Sequence, residues 1–141
     1  MWSSRKKPPP IRNLVGEGAV LHGDLRFADG VRIDGEVHGD VVATHGRGLI
    51  VISEKARVHG EVKASHVIIN GEIRGPVHAT ELLELQPKAR VVGSVRYEVL
   101  EMHPGAIVDG ELRPLKAGEK PALVLAASND AGSIPPAAAR T

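Results

Sequence analysis

The side chains best suited to chemistry are the seven histidines, three of which share a context. His22, His38 and His59 each precede a glycine and an acid, in HGD, HGD and HGE, which sets imidazoles beside Asp24, Asp40 and Glu61. An imidazole next to a carboxylate can bind a divalent metal, or change charge at about pH 6 to 7. The column is not sustained, because Val92 and Asp109 hold the corresponding places farther along the chain. The motif therefore reads as an outward polar face whose imidazoles hydrogen-bond to neighbouring acids. Glu36, Glu61, Glu72 and Glu111 also follow glycine at recurring positions, and repetition explains them without catalysis. The chain has no cysteine, hence no thiolate metal site, cysteine nucleophile or disulfide framework. GRG at residues 46–48 lacks the lysine and the helix of a GxxxxGK[ST] phosphate loop. No catalytic, cofactor-binding or metal site is assigned, and the chain reads as a non-enzyme.

What would position these side chains is a repeat. The stretch LIVISEKARVHGEV, residues 49–62, is written again as LLELQPKARVVGSV, residues 82–95. VLEMHPGAIVDGEL, residues 99–112, keeps Ala106, Val108, Gly110 and Leu112 in the corresponding places. A template of apolar, any, Gly, any, apolar also finds LHGDL at Leu21, IDGEV at Ile33, VHGDV at Val37, INGEI at Ile69 and IRGPV at Ile73. The unit is about seventeen residues, and self-similarity at so short a period specifies a solenoid, in which stacking buries the apolar face that one copy cannot. Apolar positions alternate, as in Val58, Gly60 and Val62, which is the period of a strand. Val and Ile dominate them, and both favour strands.

Each copy thus reads as one turn of a β-helix, with three short strands separated by corners. The coils are placed at residues 14–30, 31–48, 49–66, 67–81, 82–98 and 99–115. Thr44 to Gly48 lengthens its coil and is expected to bulge outward, while Pro76, Pro87 and Pro104 belong at corners, where a missing N–H costs no ladder bond. The aromatic content of 2% suits a narrow interior filled by stacked aliphatic side chains. A net charge of +1 argues against a surface that coats nucleic acid.

The flanks differ in character. Residues 1–13, MWSSRKKPPPIRN, read as a disordered arm with a stiff Pro8–Pro9–Pro10 spacer. Trp2 with Arg5, Lys6 and Lys7 reads as a weak membrane-targeting arm, in which the ring enters the interface and each cation is drawn to anionic headgroups by about 1 kcal/mol; a docking arm for a protein or nucleic acid is the alternative. Many arms displayed along a polymer would bind strongly. Residues 116–141, rich in Ala, Pro, Gly and Ser, read as a disordered tail; the apolar patch at residues 122–127 is a candidate docking segment. No apolar run approaches the roughly 20 residues that span a bilayer, and no secretory signal is present, so the expected location is the cytoplasm.

The pattern resembles the bactofilins, bacterial cytoskeletal proteins with a short right-handed β-helix between disordered termini. The resemblance rests on GDLRFADGVRIDGEVHGDV (residues 23–41), ASHVIINGEIRGPVHATELLEL (residues 64–85) and GAIVDGEL (residues 105–112). It implies a protein that polymerises end to end, without nucleotide, into non-polar filaments. It also implies attachment to the inner face of the cytoplasmic membrane, and scaffolding of cell-wall enzymes or shape-determining machinery. MWSSRKK is similar to the arm of membrane-bound members, although a gap separates Trp2 from the first basic residue.

The physics of the repeat leads to the same place. Each end of a β-helix is an open edge with unpaired N–H and C=O groups, and neither flank supplies a capping helix. Like ends meeting about two-fold axes, in alternation, build an open filament without polarity. Leu14, Val15, Val20, Leu21, Leu25 and Phe27 are expected at the first end, and Leu100, Met102, Ile107, Val108, Leu112 and Leu115 at the second. A charge at either end should disrupt assembly, and one on a lateral face should not. The competing readings are a non-polymeric module that binds another protein on its repeat face, and a hexapeptide-repeat acyltransferase. The acyltransferase would keep a six-residue beat, which is absent. A pectin-lyase-like hydrolase would need a longer helix with paired carboxylates in a cleft.

Overall fold

The protein is described by a computed structural model covering residues 8–115 and 122–125. The arm residues Trp2, Arg5, Lys6 and Lys7 lie outside the described residues, as does the remainder of the carboxy-terminal stretch. The described chain is all-β, a parallel solenoid of about six turns.

In chain order the strands are β1 (Ile11–Val15), β2 (Val20–His22), β3 (Leu25–Ile33), β4 (Glu36–His38), β5 (Val41–Ile52), β6 (Arg57–His59), β7 (Val62–Ile69), β8 (Glu72–Arg74), β9 (Val77–Leu85), β10 (Arg90–Val92), β11 (Val95–Met102), β12 (Ile107–Asp109), β13 (Leu112–Pro114) and β14 (Ala122–Leu125). The odd-numbered strands from β1 to β13 stack in order as one parallel sheet, and the even-numbered strands from β2 to β12 stack as a second. Each coil therefore has one long and one short strand, where three short ones were expected. The third corner is a bend inside the long strand, marked by register shifts at Phe27/Asp29, Ala64/His66 and Tyr97/Val99. A bulge turns the strand without ending its ladder. In β3 the bend uses Asp29 at φ 68°, a left-handed conformation that Asp tolerates better than most residues.

Stacking in register turns the repeat into a core of like on like. Val31, Ile50, Val67, Leu83 and Leu100 form one continuous column, and Ile33, Ile52, Ile69 and Leu85 form another. On the short-strand sheet Val37, Val58, Ile73 and Val91 do the same. All are buried. Gly75, at φ 151°, lies so close to the coil below that a Cβ there would overlap the carbonyl of Gly60. A glycine corner thus lets coils approach to strand spacing.

The stretch from Thr44 to Gly48 stays within β5 as a bulge, with a register shift between Val42 and Leu49. Buried Ser65 holds it: its hydroxyl donates to the Gly48 carbonyl at 2.9 Å and accepts from the Gly48 N–H at 3.0 Å. Pro76, Pro87 and Pro104 sit between strands.

Two segments lie differently from their expected boundaries. Strand β1 begins at Ile11, inside the stretch read as an arm, where Arg12 pairs with Asp29 at 3.3 Å and the Asn13 amide donates to the Ala28 and Gly30 carbonyls at 3.1 and 3.0 Å. Strand β14, inside the stretch read as a disordered tail, runs parallel to β11 with Leu100 opposite Leu123.

Candidate functional site

The first end is the outer edge of β1 and β2, each of which pairs with one strand only among the described residues. There Leu14 is 65% exposed, Val20 51% and Ile11 46%. Val15, Leu21 and Leu25 form the layer beneath, partly buried against the core. Phe27, expected on this face, is a buried core side chain and does not project from it. At the second end Ile107 is 53% exposed, with Met102, Val108 and Leu112 partly buried against the core and Leu115 half-buried. Leu100 is fully buried. β14 lies along Val99 to Met102, so part of the β11 edge is already paired. The sequence template missed this strand because ALVL lacks the central glycine.

Between the ends, outward side chains form ladders. His22, His38 and His59 are in register on β2, β4 and β6, with ring centroids 5.0 and 4.9 Å apart, the first pair stacked and the second edge-on. The next place in the column is Arg74, a cation that ends the imidazole run. The acids of the HGD motifs close the corners: Asp24 accepts the Asp40 N–H at 2.9 Å, and Asp40 accepts the Glu61 N–H at 2.8 Å. Their role is in the fold. Beside them, on the same sheet, Glu72 accepts from Arg74 at 2.8 Å, and this hydrogen bond holds its carboxyl below the usual glutamate range. On the long-strand sheet His78 stands between Lys63 and Arg96 in register. Burial, reinforced by these two cations, pushes its pKa down.

One constellation was not foreseen. Glu84, Glu101 and His103 bring two carboxylates and an imidazole together, with one ligand atom of each within 4.8 Å of the others. The sequence signal is faint: LEL and LEM put glutamates in two adjacent coils where Val51 and Ile68 stand earlier.

No enzyme-like cleft joins these groups among the described residues; what the architecture offers is two ends and a set of ladders. Residues 13–113 match the family profile described as "Bactofilin: Polymer-forming cytoskeletal". The chain belongs to the bactofilin family. One curated relative, bactofilin BacP of Myxococcus xanthus, is 25% identical over 111 residues, which is 77% of this chain and 45% of the relative. The chain thus spans less than half of that bactofilin's length. No solved structure matches it. The bactofilin family is cytoskeletal and structural, not enzymatic. No helix among the described residues is long and apolar enough to cross a membrane.

Proposed function

We propose that this bactofilin is a scaffold that polymerises through the two ends of its β-helix, without nucleotide, into filaments lacking polarity. The observation that carries the reading is the pair of solenoid ends, where among the described residues Leu14 and Val20 project from the first and Ile107 from the second, beside the stretch of β11 that β14 covers. Burying one such side chain contributes about 1.5–3 kcal/mol before ordering costs. Backbone edge groups add directionality, because a second copy can continue the ladder where β1 stops. Residues 14–115 are the assembling unit, and the flanks are attachments to it. Trp2, Arg5, Lys6 and Lys7 tether the filament to an anionic membrane surface, on the cytoplasmic face, where it positions cell-wall or cell-shape machinery. The tether gains its strength from repetition along the polymer.

Negative-stain electron microscopy of the full chain, with no nucleotide or metal added, tests the assembly. Filaments are expected from the native chain, and short or absent ones from Leu14→Arg and Ile107→Arg. A monodisperse monomer for the native chain across concentration in sedimentation would overturn the reading and leave a binding module. Phe27→Arg is unsuitable here, since a buried charge reports on folding. Flotation with anionic vesicles tests the arm: a Trp2→Ala, Lys6→Glu, Lys7→Glu chain should polymerise and fail to float.

A further inference from the structure

We propose that Glu84, Glu101 and His103 form a binding site for a first-row divalent cation, zinc foremost, at the second end of the β-helix. Glu84 and Glu101 are directly opposite one another on the adjacent parallel strands β9 and β11, and His103 follows β11 at the next corner. His103 Nε2 lies 3.1 Å from Glu84 Oε2. All three side chains are half-buried, with Glu84 21% and His103 27% exposed.

This group sets two carboxylates directly opposite each other on neighbouring strands. Like charges opposite each other on neighbouring strands repel. Four outward glutamates elsewhere meet a full cation, Glu72 with Arg74, Glu111 with Arg113, Glu54 with Lys88 and Glu17 with Lys55, while Glu36 and Glu81 each have a histidine to themselves. Among the described residues His103 pairs with Glu84 alone, and Glu101, directly opposite Glu84 and with a carboxylate oxygen within 4.8 Å of the same group, has no ion-pair partner of its own. A bound divalent ion would supply the missing positive charge.

The donor set selects the ion. Two carboxylate oxygens and one imidazole nitrogen, with solvent access for a fourth ligand, match three-ligand zinc sites completed by water. Bonds of about 2.1 Å put tetrahedral ligand atoms about 3.4 Å apart. Glu84 and His103 already meet that separation, and a side-chain rotation of Glu101 brings in the third ligand. Binding takes the Nε2 lone pair, so the ring proton resides on Nδ1. The Gln86 amide, which donates to Glu84 Oε2 at 3.3 Å, is the outer-shell group that orients this carboxylate. The ion would clamp β9 to β11 and fix the His103–Pro104 corner, on the strand whose other edge carries β14. The site is independent of whether filaments form.

The test is isothermal titration of the chelator-treated full chain with zinc chloride, and in parallel with cobalt chloride, whose visible bands report low-symmetry N/O coordination. One ion per chain is expected, with affinity at least about tenfold lower in Glu101→Gln and His103→Ala. Circular dichroism verifies that both variants keep the native fold. His38→Ala is the control, because the imidazole column is the rival place for a metal. No binding by the native chain, binding unchanged in both Glu101→Gln and His103→Ala, or binding abolished by His38→Ala would each overturn the assignment.

Discussion

A narrow solenoid interior built of stacked columns leaves each buried residue little room to adjust. Ile73 is fully buried, between Val58 and Val91 in its column. Ile73→Ala should lower unfolding free energy by about 2–5 kcal/mol in urea denaturation, since the coils above and below cannot close the cavity. Gly75→Ala should cost at least about 1 kcal/mol, because both its φ and the Gly60 carbonyl oppose a side chain. Two ionisable residues act on stability in the same direction, each weakening the fold as pH falls but in a different window. Glu72 is depressed below its ordinary value, so its contribution is present above about pH 4.5 and fades as acid titrates the folded state. His78 is depressed from 6.5 by burial and by Lys63 and Arg96. The unfolded chain then binds the proton more readily, so stability falls as pH drops from 6.5 through the folded value. His78→Gln should flatten the urea midpoint between about pH 5 and pH 7. A slope as steep as that of the native chain would remove His78 as its source.

At the scale of elements, what was legible and what was not divide along physical lines. Alternating Val and Ile around glycine marked every short strand and its partner, because the repeat is a direct image of rung-on-rung packing. The Asp24 and Asp40 corner bonds explain why HGD recurs without a catalytic purpose. Bends within the long strands were illegible as such, since a bulge needs no glycine or proline and leaves the apolar pattern intact. β14 and the Glu84, Glu101 and His103 group were missed for a related reason: each depends on what neighbouring coils contribute, and repetition hides the exceptions within itself. Phe27 illustrates the converse. Its place near the start of the repeat suggested an end face, but by strand alternation it shares the inward face of β3 with Leu25 and is buried in the core. Ser65 tests the bulge in β5. Ser65→Ala leaves the Gly48 N–H and C=O without their partner and should cost about 1–3 kcal/mol, read as a lower urea midpoint with an unchanged slope.

For the molecule as a whole, the ends concentrate what the sides lack. A charge at Leu14 or Ile107 should shorten filaments, while Arg26→Glu or Arg90→Glu, at exposed lateral positions, should leave their length unaltered under the microscope. If lateral changes proved equally disruptive, association would run through the faces instead. One property follows from the direction of the hydrogen bonds. Because strands wind around the axis, the inter-coil bonds run along it, as in the bonds from the Gly39 N–H to the His59 carbonyl and from the Gly60 N–H to the Arg74 carbonyl, both 3.0 Å. A pull along the axis therefore loads a whole ring of bonds at once, so that none can break in sequence as in an unzipping hairpin. Such a rod resists tension as a bundle of parallel springs does, and it should yield first at the joint with the fewest springs. In a filament that joint is the one between subunits, which would make the polymer brittle at its seams and stiff within each link.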